Sequence, residues 1–233
     1  MTDDAADDLD DLIRRVDPDR WLTSRFVGDT AARGDLIALY AYDHELARAR
    51  RVASTPLMAE IRLTWWREAL GEIYEARPVR RHPTAEALAA AVRRSNLPRA
   101  PLEAMIDGHI DALEAGALDA PGAVAWASAV EGSAAQIAAM ILDPASPAEA
   151  AQPAGRAWGL ALLLRAGLAS RELLAQPLRD ALADARTAAR SLGAAAFPAV
   201  LPARLARYCL AGREPGPFAR RLALVLASAT GRL

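Results

Sequence analysis

Residues 36–50 read LIALYAYDHELARAR, with Gly34 and Asp35 in front of them. The apolar residues recur with the period of a helix, which predicts one long helix over roughly 36–51. Its first half is rich in aromatic residues, and its second half carries Arg48, Arg50 and Arg51. The rest of the chain has the same character. Ala, Leu and Arg dominate, β-branched residues are scarce, and nothing alternates with a period of two, so the fold is expected to be all-α.

Helix signals recur on both sides of that stretch. Asp17-Pro18 reads as a cap followed by proline at the first helical position, opening a short helix through RWLTSRFV. Ser54-Thr55-Pro56 starts another, in which Leu57, Ile61, Trp65, Leu70 and Ile73 follow the 3.6-residue period. RHPTAEALAAAVRRSN and PRAPLEAMIDGHIDALEAG give two more, the second closed by Gly116. Later helices are expected at about 121–142, 148–168, 171–192, 198–211 and 215–229. The expectation is a single domain over 17–233, a bundle of about eight or nine helices, preceded by an acidic, flexible segment over 1–16.

The 28 basic and 29 acidic residues nearly cancel, so no global field calls for a nucleic-acid partner. The single cysteine, Cys209, allows no internal disulfide and suits a reducing compartment. The acidic N-terminus lacks the basic and apolar regions of a secretory signal, and the apolar run WGLALLL at 158–164 is far too short to cross a bilayer. A cytoplasmic location is expected. Contact with the inner face of a membrane stays open, because FARRLALVLASATGRL sets Arg220 and Arg221 beside an apolar run.

Several segments, in order, resemble the squalene/phytoene synthase family: DPDRWLTSRF, LIALYAYDHELARAR, the Trp-containing IRLTWWREALGEIYEA with its His-Pro turn, LEAMIDGHIDAL, AVAWASAVEGSAAQIAAMIL and AGRAWGLALLLRA. The resemblance covers residues 17–210 and implies an isoprenoid-synthase type of helical bundle around a central pocket. Typical members join two prenyl diphosphates with Mg²⁺ held by two aspartate-rich motifs. Magnesium needs hard oxygen ligands, and carboxylates four residues apart on a helix supply them together.

Both motifs depart from that pattern here. Asp43 and Glu45 are only two residues apart, and Ala47, Arg48 and Arg51 stand where the resemblance expects acids. From Ala150 to Arg171 there is no Asp or Glu, and the basic loop that usually follows is missing. The expectation is therefore no metal and no cofactor, with catalytic residues limited to Asp43 and Glu45, and Mg²⁺ as cofactor, if transferase activity persists. Asp107, Asp111 and Glu114 share a helix face with His109 nearby, a weak metal alternative whose plainer reading is a solvated face.

Ligand-pocket candidates are Tyr40, Tyr42, Asp43, His44, Arg48, Trp65, Trp66 and Arg165. Each has a plainer reading beside the functional one. Trp65 and Trp66 suit a core equally, and Arg48, Arg50 and Arg51 suit either an anionic head group or ion pairs with Glu45, Glu60 or Glu68. His82 before Pro83 reads as a turn residue. AYDHELARA is most similar to the subgroup of the family that lacks the aspartate motif and includes the mitochondrial complex I assembly factor. That resemblance implies a binding or assembly role, with respiratory-complex subunits or assembly factors as partners and an isoprenoid or lipid as ligand. The alternative is an active head-to-head prenyl diphosphate transferase with an atypical metal site.

Overall fold

The computed structural model describes the chain from Asp3 to Leu233, with side chains described from Asp8 onward. Twelve α-helices make up the described residues: α1 Asp3–Val16, α2 Pro18–Ser24, α3 Thr30–Val52, α4 Pro56–Tyr74, α5 Pro83–Ser95, α6 Arg99–Ala115, α7 Ala120–Ala127, α8 Ser133–Leu142, α9 Gln152–Arg165, α10 Arg171–Ala188, α11 Pro202–Leu210 and α12 Pro217–Thr230. No strand occurs among them. The expected all-α class is what is observed.

Two helices organise the bundle. α3 is buried continuously from Asp35 to Asp43, as befits the stretch Leu36–Tyr42, which is apolar on all sides, and packs against α1, α4, α5 and α8. α9 packs against α10, α11 and the segment linking α7 to α8. That segment, Ser128–Gly132, is a π-helical turn within what the sequence suggests is one helix over 121–142. The turn holds an extra residue and shifts the register of everything after it, which hydrophobic periodicity does not reveal. By length and composition 120–142 could span a membrane, yet most of it lies inside the bundle.

α9 can approach this turn because it presents glycine there. A Cβ on Gly155 would sit 2.0 Å from the Glu131 carbonyl oxygen, and one on Gly159 would sit 2.9 Å from the Ala127 Cβ. The two glycines are four residues apart, on one face of the helix.

Three expectations need correction. The acidic 1–16 segment is not wholly flexible. Asp3–Val16 is helical, and Leu9 and Ile13 are buried against α3 while Asp10 accepts a bond from the Trp21 indole at 2.9 Å. An apolar stripe at helical spacing outweighs the acidic composition. Gly34-Asp35 does not precede α3 but lies within it. The cap is Asp29, whose carboxylate accepts from the Ala31 and Ala32 amides at 2.7 and 3.1 Å. Finally, Leu57 and Ile61 fit the apolar period of α4 yet remain 64% and 52% exposed, because the buried face of the helix runs through Ala59, Leu63, Trp66 and Leu70 and leaves positions 57 and 61 on the outward side.

Candidate functional site

A cavity of about 460 Å³ opens between α2, α3, α6, α7 and α9. α3 lends it one face, with Asp43, His44, Ala47, Arg50 and Arg51. Those positions follow a helical period, so they share one side. α9 lends Trp158, Leu162, Leu163 and Arg165, and α6 and α7 add His109 and Trp126. The wall is partly apolar and aromatic, with both cationic groups and the carboxylates of Asp17, Asp19, Asp43, Glu131 and Glu214 set into it.

The DPDR sequence of α2 carries the electrostatics. Asp17 caps the helix by accepting from the Arg20 amide at 3.0 Å, and the same carboxylate pairs with the Arg20 side chain. Arg20 is buried and reaches two further carboxylates, Asp43 on α3 and Glu131 of the π turn, the latter at 3.0 Å. Its guanidinium also lies over the Tyr40 ring, 4.9 Å from the centroid. Burial works against the charge of Arg20, but Asp17, Glu131 and Asp43 more than offset it and hold it protonated above its ordinary range. Glu131 is pushed the other way. Burial raises its carboxyl to about 8, against the pull of Arg20 and with the help of Asp43 and Asp17.

A second cluster borders the first. Asp19 is buried and pairs with Arg165 at 2.8 Å and with Arg220 of α12 at 3.1 Å. Opposite, Arg51 lies 3.4 Å from His44 Nδ1, and burial together with Arg51 lowers the His44 pKa. Arg50 donates to the Gly116 carbonyl at 3.2 Å. Arg50 and Arg51 thus bring positive charge to the cavity without a carboxylate of their own among the described residues.

His109 is buried against Trp126, with ring centroids 6.0 Å apart, and burial lowers its pKa to about 4. A base depressed in the fold contributes stability that is complete above its unfolded value of 6.5 and is lost as pH falls toward 4. At 1.36 kcal/mol per pH unit, the loss between pH 6.5 and 5 is about 2 kcal/mol. Glu131 acts with opposite sign over the whole of this range, so the measurement is a difference. His109→Met should remove about 2 kcal/mol of the acid-side loss seen in urea unfolding of the parent at those two pH values, and an unchanged loss would contradict the assignment.

The sequence candidates divide between two places. Asp43, His44 and Arg165 line the cavity. Tyr40 is buried next to Arg20, and Tyr42 is a core residue whose hydroxyl donates to the Leu102 carbonyl at 2.9 Å. Arg48, Trp65 and Trp66 lie on the other side of α3, around a separate cleft with Glu45. Arg20 and Glu131, the centre of the site, are not among the candidates. Glu131 had a usable signal, being the single charged residue in 120–142.

Magnesium does not fit this donor set. It demands several oxygen ligands in a near-octahedral shell, usually two protein carboxylates or fewer with phosphates and waters. Asp43 and Glu131, which face each other across the cavity wall, converge on the Arg20 guanidinium instead of on open space. Glu45 points to the other cleft. Asp107 is exposed and bonded to Arg67 at 2.6 Å, and Asp111 is also exposed. Among the described residues no group of three or more His, Cys, Asp or Glu could hold a metal ion.

A family model described as squalene/phytoene synthase matches residues 13–168. Among solved structures, a dehydrosqualene synthase in complex with ligand is similar, with a TM-score of 0.79 over 97% of this chain and 96% of that one. The two are 14% identical, so the likeness shows the fold alone. No curated protein matches the chain in sequence.

Proposed function

Because the chain belongs to the squalene/phytoene synthase family, we propose that it is a member which binds an anionic, apolar-tailed ligand of isoprenoid or lipid type and no longer joins prenyl diphosphates. The observation that carries this reading is Arg20, whose guanidinium occupies the space between Asp43 and Glu131. A cation fixed by the protein there competes with a divalent ion for the same oxygens. The remaining lining suits an amphiphile, with Arg50 and Arg51 for an anionic head and Trp126, Trp158, Leu162 and Leu163 for a tail.

The test uses farnesyl diphosphate. Calorimetry without Mg²⁺ should show binding, and Arg51→Glu should weaken it about tenfold, the worth of one charge-assisted contact. Incubation with Mg²⁺ should yield no joined C30 product. Steady turnover would end this reading in favour of the other one, an active transferase. That second reading draws on Asp43 Oδ1, which is buried and has no hydrogen-bond partner among the described residues. It requires Asp43→Ala to abolish product.

The proposed binding protein acts as an assembly factor, with subunits or assembly factors of respiratory complex I as partners. The similarity of AYDHELARA to the subgroup without the aspartate motif supports this role. Membrane contact belongs to the same proposal. Phe218, Leu222, Val225 and Leu226 form an exposed apolar stripe on α12, a helix that carries two arginines and no acid. Affinity capture from native membranes should recover respiratory subunits, and Phe218→Asp should move the chain to the soluble fraction. Capture without any respiratory component would count against the assembly role.

A further inference from the structure

α3 separates two cavities. Asp43, His44, Ala47, Arg50 and Arg51 face the large one, whereas Glu45, Arg48 and Ala49 face a cleft of about 300 Å³ on the opposite side. α4 supplies the far wall of this cleft with Ile61, Arg62, Trp65 and Trp66, and His82 closes its end.

Three aromatic rings meet there at steep angles. Trp65 and Trp66 have centroids 4.9 Å apart with planes at 86°, and His82 lies 5.5 Å from the first and 5.2 Å from the second. Behind them Tyr42 packs on Trp66, and Arg80 covers the Trp65 ring at 4.6 Å. These contacts pack the corner of the cleft with interlocked rings. Its charge is lopsided. Glu45 is answered by Arg48 through a long contact of 3.4 Å, while Arg62 is exposed and forms no ion pair among the described residues. His82 is the N-cap residue of α5 and makes no side-chain capping bond among the described residues. The His82 Nδ1 atom is buried and has no hydrogen-bond partner among the described residues.

We propose that this cleft is a second binding site, separate from the large cavity, that takes a flat aromatic group bearing an acid function. The ring packs into the corner of Trp65, Trp66 and His82, and the acid meets Arg62 at the edge. The same chemistry can be offered by a free aromatic carboxylate or by an aromatic side chain beside an acidic one in a partner protein. Leu57 and Ile61 stand exposed nearby, surface that a small molecule would leave uncovered and a protein segment would bury.

The probes are indole-3-propionate, tryptamine, butyrate and an acetylated Trp-Asp-Leu peptide amide, added to the full chain and followed by the indole N–H signals in NMR. Indole-3-propionate should bind and move the signals of Trp65 and Trp66, with tryptamine and butyrate weaker by about tenfold or more. Arg62→Glu, at an exposed position, should reduce affinity for indole-3-propionate about tenfold, whereas Arg51→Glu in the large cavity should leave it unchanged. A peptide that binds more tightly than the free acid identifies the source as a protein segment, and equal or weaker binding identifies a small molecule. No binding of indole-3-propionate, equal binding of tryptamine, or indifference to Arg62→Glu would overturn the site. None of these outcomes depends on whether the large cavity binds a prenyl diphosphate.

Discussion

Arg20→Met is expected to destabilise the protein by about 3–5 kcal/mol, the usual cost of removing one partner from a buried ion pair. The carboxylates of Asp17 and Asp43 would lose their common counter-charge and the Glu131 carboxyl its partner, and the last two have little access to water. For a chain of this length that corresponds to a fall of roughly 10 °C in Tm. The loss comes from stranded charge, so it should be largely recovered when Asp43→Asn and Glu131→Gln are added to Arg20→Met. Glu131→Gln alone tests the protonation of the cluster. The folded Glu131 is raised from 4.5 to about 8, so its contribution to stability is complete below pH 4.5 and is lost as pH rises through about 8. The Gln variant should therefore show less alkaline destabilisation than the parent. Urea unfolding from pH 6 to pH 9 measures all four chains. An Arg20→Met cost below about 1 kcal/mol, or a triple variant no better than the single one, would remove Arg20 from the centre of the site.

Gly155→Ala should be similarly severe, at about 3 kcal/mol or more, for a steric reason. The added methyl would lie 2.0 Å from the Glu131 carbonyl oxygen, 2.6 Å from its carbon and 2.8 Å from the Ala135 Cβ. Two of these atoms belong to backbone, which cannot rotate away. α9 must retreat from the π turn, carrying Trp158 and Leu162 out of the cavity wall. The variant is thus expected to lose ligand affinity along with stability. Gly34→Ala provides the contrast. It lies inside α3, its added Cβ meets nothing within 4 Å, and alanine is the better helix former, so a gain of about 0.5–1 kcal/mol is expected. Thermal unfolding of the two variants side by side should move in opposite directions. A neutral Gly155→Ala would mean that α9 and the turn are less closely packed than described.

The helical class was legible because Ala, Leu and Arg leave no plausible strand, and the family was legible because six segments recur in order. Asp17 could be recognised as a cap, since its signal is local. What Arg20 does could not, because its partner Glu131 is 111 residues away and that pairing leaves no trace in spacing. Trp65 and Trp66 were grouped with Asp43 on the strength of residue type. The structure separates them because the side of α3 on which a residue emerges decides which cavity it meets, and α4 lies on the far side. α1 was misjudged by composition, as its acids are numerous but Leu9 and Ile13 decide its placement.

The π turn makes the site sensitive to something other than residue identity. It contains one residue more than an α-helical turn at the point where Glu131 meets Arg20. Loss of one residue from 128–132 would let the helix run on regularly and rotate one side against the other by about 100°. Glu131 would then leave Arg20, although every remaining side chain kept its chemical type. A single-codon deletion could thus rewire the pocket in one step, and a comparison of relatives that counts only substitutions would score the two chains as nearly the same.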